Sequence, residues 1–192
     1  MSHNKINDIS SLQYTNLPNL KILYLNNNYI SDISPLMKTN FIELEKLISS
    51  GNDIKEKNIL ESVNFSQLKE LDLGNNEIED VSPLEKVKFY KLEKLGLNNN
   101  KIKYINFFEK NKFLELKEIY LADNLIEDIS VFGKVEFPKL EILSLFGNYI
   151  SNINCLENAK FICLKQLYLY NNKIDNMNAI LKGKFKNIKM VI

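Results

Sequence analysis

A unit of 24 residues recurs along the whole chain, and this repeat constrains the fold more than any other feature of the sequence. One apolar column keeps the interval throughout: Leu20, Leu44, Leu68, Leu92, Leu116, Leu140, Leu164 and Ile188. When these residues are numbered as position 1, position 9 is asparagine and position 11 is isoleucine in every repeat. A single unit of this kind cannot bury its own apolar side chains, so we expect the units to stack on one another.

The first part of the repeat is predicted to form a short β-strand. Positions 4 and 6 are apolar in nearly every repeat, with position 4 running from Leu23 to Val191, whereas positions 3, 5 and 7 vary. This alternation is typical of a strand with one buried face. Stacking therefore predicts a parallel sheet whose other face, called the open face below, carries positions 3, 5 and 7.

The second part of the repeat is predicted to return the chain on the opposite side through a short helix near position 16. Serine or asparagine at position 15 favours an N-cap there. Glutamate three residues later is predicted to complete capping boxes at Glu61, Glu85, Glu109 and Glu157. Phenylalanine at position 22, from Phe41 to Phe185, is predicted to form a stacked column that closes the core.

The asparagine column is interpreted as structural. Its members include Asn28, Asn52, Asn76, Asn100, Asn124, Asn148 and Asn172. An amide offers both a donor and an acceptor, so each side chain can satisfy backbone groups at the bend that leaves the strand. We expect these residues to connect consecutive repeats rather than to contact a partner.

The combined motif LxxLxLxxNxI resembles the leucine-rich-repeat family over the entire chain. The segment ISDISPL at 30–36 resembles the repeats of bacterial internalins, and the NxIxxIxxL form resembles the SDS22-like subclass, which includes a phosphatase regulator. The resemblance implies an α/β fold: a right-handed solenoid curved like a horseshoe, with a concave parallel sheet and short convex helices. It also implies one domain over residues 1–192, with about eight repeats of 24 residues and partial repeats at both ends.

Composition narrows the classes of function. The chain is 45% hydrophobic and 26% charged with a net charge of +1, which is typical of a soluble globular protein and gives no reason to expect a membrane surface as partner. All 25 basic residues are lysine, and the lack of arginine disfavours nucleic acid. The N-terminus lacks a signal-peptide pattern, and Cys155 and Cys163 are predicted to be free thiols. These features predict an intracellular, cytoplasmic protein, with a cell-surface fragment as the alternative.

The sequence offers little for catalysis. His3 is the only histidine, no nucleophile has a base near it in sequence, and glycine-rich phosphate loops are absent. No enzyme activity, cofactor or metal site is predicted.

The open face carries the candidate site for a protein partner. Aromatic and apolar residues concentrate there on three successive predicted strands, at Tyr120, Ile142, Phe146, Tyr168 and Tyr170. A smaller apolar group that includes Tyr24 lies near the N-terminal end, with charged residues between the two groups. Grouped exposed aromatics are typical of interface hot spots, although aromatics also suit any β-sheet surface. We interpret these residues as a protein-binding surface on the concave face.

Two other features leave alternatives open. The chain begins and ends within a repeat without a polar cap, so either the repeats belong to a longer array or their ends meet something, and bare sheet edges favour self-association. Regulation of a phosphatase, as in the SDS22-like subclass, is a narrower form of the partner-binding hypothesis. The second full repeat departs from the pattern at Ser49 (position 6) and Lys57 (position 14), which predicts a local weak spot.

Overall fold

Eight parallel strands form one sheet in the computed structural model, which describes residues 1–55, 60–183, 185 and 188–191. Each strand pairs with the next one along the chain, as the stacked repeat requires. The strands are β1 (Ile22–Tyr24), β2 (Lys46–Ile48), β3 (Glu70–Asp72), β4 (Lys94–Gly96), β5 (Glu118–Tyr120), β6 (Ile142–Ser144), β7 (Gln166–Tyr168) and β8 (Lys189–Val191). Leu23 lies opposite Leu47, which lies opposite Leu71, so the register follows the 24-residue interval. The predicted leucine-rich-repeat architecture is confirmed.

The pairing of β7 with β8 departs from that interval. Leu167 on β7 lies opposite Met190 rather than Val191, because the connection between these strands is one residue shorter than the others. The prediction that Val191 continues position 4 is therefore wrong, and Met190 takes that place in the register.

Short helices return the chain on the other side of the sheet. Five 3₁₀ helices lie in the described part of the chain, at Ser10–Tyr14, Ser34–Lys38, Ser82–Glu85, Ser130–Gly133 and Asn154–Asn158. Two short α-helices take their place in other repeats, α1 (Phe107–Lys110) and α2 (Asn178–Lys182). The prediction of a helical turn near position 16 is confirmed.

The capping boxes predicted at Glu85, Glu109 and Glu157 are wrong, because the side chain at position 15 does not cap these helices. The box predicted at Glu61 requires Asn58, which lies outside the described residues. Most of the helices begin at position 15 itself, so it is the N–H of this residue that needs an acceptor. Position 13 supplies it: Asp32 Oδ1 accepts the backbone N–H of Ser34 at 2.7 Å. Five other repeats share this local turn, through Asp8, Asp80, Asp128, Asn152 and Asn176.

The core lies between the sheet and these helices. Leucines and isoleucines at positions 4, 6 and 11 are buried in the middle repeats, and phenylalanines at position 22 close it. Within this column Phe137 and Phe161 contact each other, with ring centroids 6.0 Å apart, and rings from the helices pack against them as well. Phe108 packs 5.3 Å from Phe137, and Phe132 packs 5.8 Å from Phe161, as measured between ring centroids.

The second full repeat contains the irregularity that its sequence indicates. Ser49 is fully buried in the row of position-6 leucines, and its Oγ lies within the core without a hydrogen-bond partner among the described residues. Such a group is unfavourable in an apolar environment. Lys57, the second departure from the pattern, lies outside the described residues.

Candidate functional site

The asparagine column lies at the bend that follows each strand and hydrogen-bonds to backbone on both sides. Asn100 Nδ2 donates to Leu97 O at 3.1 Å and to Leu73 O at 3.0 Å, while its Oδ1 accepts the N–H of Ile78 at 3.0 Å. The equivalent amides make bonds of the same pattern: Asn28, Asn52, Asn76, Asn124, Asn148 and Asn172. Each amide thereby joins its own repeat to the preceding one. Because these amides bind backbone in every repeat, the surface whose residues vary between repeats is the open face of the sheet.

The residue just before this column turns the backbone at the bend. At position 8 the backbone is left-handed in successive repeats, with φ of 54° at Asn27, 67° at Gly51 and 52° at Asp123. Asn75, Asn99, Gly147 and Asn171 share this conformation. Sequence reasoning did not identify this role, although the restriction of position 8 to asparagine, aspartate and glycine in these repeats is its signal, since these residues tolerate the left-handed region best.

Half of the open face carries a row of alternating charges at position 3, here called the charged row: Lys46, Glu70, Lys94 and Glu118. Lys46 Nζ lies 2.8 Å from Glu70 Oε2, and Lys94 Nζ lies 3.3 Å from Glu70 Oε1 and 3.7 Å from Glu118 Oε2. Burial opposes ionisation of Glu70, but the hydrogen bonds and charges of the two lysines outweigh it and hold the pKa of that carboxyl below its usual value. Most charges of the charged row are therefore paired with other members of the row.

The other half carries the residues predicted to form the partner site, here called the aromatic patch: Tyr120, Ile142, Phe146, Tyr168 and Tyr170. Tyr120 and Tyr168 lie on either side of Ser144 in the paired register of β5, β6 and β7. The rings of Phe146 and Tyr170 stack with centroids 4.5 Å apart and planes inclined by 7°. The structure thus brings all five onto three neighbouring repeats, where Tyr170 is exposed and the other four are half-buried.

Two tyrosine hydroxyls in the patch are held by the residues two places before them. Tyr120 donates to Glu118 Oε2 at 2.9 Å, and Tyr168 donates to Gln166 Oε1 at 2.6 Å. Burial, together with the hydrogen bond to Glu118, raises the pKa of Tyr120 from its ordinary value of 10.0 to about 12. Lys94 Nζ lies 5.6 Å from the centroid of the Tyr120 ring.

Tyr24, also predicted to contact a partner, does not join the patch. It lies on β1 opposite Ile48, four strands away from Tyr120, and 47% of it is exposed. Small residues beneath the rings were not singled out from the sequence: Ser144 and Ala122 are almost fully buried under their larger neighbours. They let the rings lie close to the sheet.

Other kinds of site find little support in the part of the chain that is described. No group of three or more histidine, cysteine, aspartate or glutamate side chains is arranged there to hold a metal ion. None of the helices described here has the length and apolar character needed to cross a bilayer. Cys155 is half-buried and its Sγ donates to Ile129 O at 3.1 Å, whereas Cys163 is exposed; both are free thiols.

Sequence comparison identifies the repeat directly. A family described as Leucine Rich repeats (2 copies) matches residues 1–36 and 90–134, and one described as Leucine Rich Repeat matches residues 67–86. A comparison with curated proteins finds no match for the chain.

Solved structures with the same fold include two internalins of Listeria monocytogenes. InlF is 28% identical, with a TM-score of 0.80 over 97% of this chain and 51% of its own. Internalin C2 is 26% identical, with a TM-score of 0.80 over 97% of this chain and 77% of its own. The chain thus spans about half the length of InlF.

A plant receptor shares the fold at greater distance. The Arabidopsis receptor kinase HAESA, solved with the peptide hormone IDA and a co-receptor, is 26% identical, with a TM-score of 0.65 over 85% of this chain and 28% of its own. The predicted resemblance to internalins is confirmed, whereas the SDS22-like subclass stays a prediction. The repeat, the parallel sheet, the family matches and the internalin structures agree: this chain belongs to the leucine-rich-repeat family.

Proposed function

We infer that this chain is a non-enzymatic protein-binding module whose partner docks on the aromatic patch of the open face. The observation that carries the proposal is the grouping of five apolar or aromatic side chains on β5–β7, including the parallel stack of Phe146 on Tyr170. The outward positions of β2 to β4 are mainly charged or small, whereas β1 carries the smaller apolar group with Ile22 and Tyr24.

The arrangement of the rings suits binding energetically. Stacked and hydrogen-bonded side chains have already lost rotamer freedom, so a partner that covers them incurs a smaller entropic cost. Tyrosine and phenylalanine also bury large areas and dominate many interfaces. The patch therefore combines apolar area with a fixed shape.

The comparisons support the class of partner. HAESA, which has this fold, was solved in complex with a peptide hormone. By that analogy we propose a peptide or protein as the partner rather than a small molecule. The cytoplasmic location expected from the sequence, and a single domain over residues 1–192, remain part of the same proposal.

The test is a binding selection with matched variants. Short random peptides displayed on phage are selected on the wild-type chain, and the affinities of the enriched peptides are then measured for Phe146→Ala combined with Tyr168→Ala. Loss of two interface rings is expected to weaken binding by about tenfold to a hundredfold or more.

The control removes two aromatic residues elsewhere. Tyr90 and Tyr104 are 64% and 75% exposed and lie outside the open face, so Tyr90→Ala combined with Tyr104→Ala should leave affinity unchanged. Circular dichroism of both variants checks that the fold is retained. If the two double variants bind the peptides equally, the patch is not the binding site.

Self-association is the second candidate. Within the described residues, β1 and β8 each have a neighbouring strand on one side only, and unpaired edges can pair with another copy. Light scattering over a concentration series is expected to show dimers or longer rods if the edges pair. A constant monomer mass would exclude this candidate. A pull-down with a protein phosphatase tests the narrower SDS22-like hypothesis.

A further inference from the structure

The charged row alternates in sign along the sheet and then stops at the edge of the aromatic patch. Lys46, Glu70, Lys94 and Glu118 succeed one another at position 3 of β2 to β5. Glu70 lies within 3.3 Å of a lysine on each side, whereas Glu118 has Lys94 on one side only, at 3.7 Å. If the alternation continued, β6 would carry a cation opposite Glu118, but Ile142 occupies that position.

The rest of the patch supplies no cation. On β5, β6 and β7, Glu118 is the only charged residue at positions 3, 5 and 7. Those nine positions are Glu118, Tyr120, Ala122, Ile142, Ser144, Phe146, Gln166, Tyr168 and Tyr170. In the paired register the next charge along this row is Lys189 on β8, which lies opposite Gln166 and beyond Ile142. The patch therefore carries one negative charge, and 34% of the Glu118 side chain is exposed.

The neighbouring aromatic groups favour a positive ligand. Tyr120 and Tyr168 donate their hydroxyl protons to Glu118 and Gln166, so their oxygens present lone pairs to any further group. The ring faces attract cations as well.

One lysine of the chain already binds to Glu118 and to an aromatic ring in this way. The ammonium of Lys94 already lies beside Glu118 and 5.6 Å from the centroid of the Tyr120 ring. The β6 side of Glu118 offers an equivalent position without a resident cation.

We propose that the partner is a cationic polypeptide segment that places a lysine or arginine side chain against Glu118, on the side of Ile142. The aliphatic stem of that side chain packs on Ile142, and its charged end completes the alternating row. Apolar side chains of the same segment then cover the stacked rings of Phe146 and Tyr170. This inference rests on the proposed function and specifies its partner.

The first arm of the test asks whether binding needs the charge of Glu118. Random peptides are selected in parallel on the wild-type chain and on Glu118→Gln, a change that keeps an acceptor for the hydroxyl of Tyr120. We expect lysine and arginine to be enriched only on the wild type. A selected peptide should lose about tenfold in affinity on Glu118→Gln, and the same peptide with norleucine in place of its lysine should bind both chains equally.

The second arm supplies the missing cation from the chain itself. Ile142→Lys places an ammonium on β6, where it can pair with Glu118 and repel a cationic ligand. It should weaken the selected peptide by more than tenfold, whereas Ile142→Gln, which removes the same apolar contact without adding charge, should weaken it about threefold. Equal effects of the two changes would overturn the inference.

The outcomes separate this inference from the proposed function. Peptides that lose binding with Phe146→Ala and Tyr168→Ala, yet are neutral or acidic and bind Glu118→Gln as well as wild type, would overturn the cationic partner and leave the binding site standing. Peptides that bind all of these variants equally would overturn both. Enrichment of acidic peptides would point to Lys94 and Lys189 instead and would also contradict the proposal.

Discussion

The open face of the sheet is divided between a charged half on β2–β4 and an aromatic half on β5–β7. Both halves share the same strand register, the same asparagine bonds and, apart from Ser49 in the charged half, the same buried leucines. In the charged half, Glu70 is held between Lys46 and Lys94. In the aromatic half, the rings of Phe146 and Tyr170 stack, and Glu118 is the only charged residue at positions 3, 5 and 7 of β5–β7.

This difference teaches that core and surface are specified by separate columns of the repeat. Positions 4, 6, 9 and 11 stay almost constant and determine how the units stack, whereas positions 3, 5 and 7 change freely from one strand to the next. Charged side chains that already pair with one another are less available to bind a partner. We therefore expect changes in the constant columns to alter stability and changes in the variable columns to alter binding.

The largest effect is expected from placing a buried serine in the aromatic half, at the position that Ser49 has in the charged half. Leu145 lies at position 6 beneath the aromatic patch, in the column that holds Ser49 in the second repeat, and both are fully buried. Leu145→Ser removes a buried side chain and adds a buried hydroxyl, so it should lower the free energy of unfolding by about 3–5 kcal/mol. Urea unfolding measures the loss.

Its control keeps the volume of the side chain. Leu145→Met should cost less than about 1.5 kcal/mol. A loss from Leu145→Ser no larger than that of the control would mean that position 6 is packed less tightly under the aromatic patch than its burial indicates.

The asparagine column should be equally important in the two halves. Asn76→Leu and Asn148→Leu each leave one buried backbone N–H without its acceptor, at Ile54 and at Ile126, and each removes one of the two amide donors to two carbonyl oxygens. Each change should lower the free energy of unfolding by about 1–3 kcal/mol, because the groups remain buried. Thermal unfolding compares the two variants.

The control for this pair is Asn171→Gly, which keeps the left-handed backbone of an exposed neighbour and should change stability by less than about 0.5 kcal/mol. A clearly smaller loss in one half would contradict a scaffold shared by both.

Most of the fold could be predicted because its causes repeat every 24 residues. The alternation at positions 3 to 7 determined which side chains face outward, and the interval itself set the register from β1 to β7. The β7–β8 pairing was missed, since one residue fewer in the connection still leaves Ile188 and Val191 as plausible members of their columns. Capping was assigned to Ser34 instead of Asp32, because both residue types cap helices and only backbone geometry distinguishes them.

The candidate site was predicted less completely. The sequence placed Tyr120, Phe146 and Tyr170 on one face, but not the stack of the last two rings or the bond from Tyr120 to Glu118. These contacts depend on side-chain rotamers, which the periodicity of a column does not determine. Tyr24 was predicted to belong to a separate group near the N-terminal end, and the structure places it four strands away from Tyr120.

A smaller effect of opposite sign is expected in the charged half. Ser49→Ala removes the buried hydroxyl that has no partner among the described residues, so it should raise the free energy of unfolding by about 1 kcal/mol. The gain would show that the buried hydroxyl makes the core of the charged half less stable than that of the aromatic half. Ser82→Ala, at an exposed serine, should change stability by less than about 0.5 kcal/mol. A loss of stability with Ser49→Ala would show that the hydroxyl is satisfied in solution, for example by a buried water.

The smallest effect concerns the charges themselves. Glu70→Gln removes the acid shared by Lys46 and Lys94, and it should lower stability at pH 7 by up to about 1 kcal/mol, since the pairs are only partly screened from solvent. Because the folded-state pKa of Glu70 lies below its usual value of 4.5, this contribution is complete above that value and is lost as the pH falls through the folded-state pKa.

Thermal unfolding of wild type and Glu70→Gln should therefore differ at pH 7 and converge well below pH 4.5, while Glu127→Gln, at an exposed acid, should show no comparable gap. A gap that persists in acid would mean that Glu70 acts through packing. In that case the charged half would be stabilised by packing, as the aromatic half is. The two halves would then not differ in the way proposed, with paired charges in one and rings open to a partner in the other.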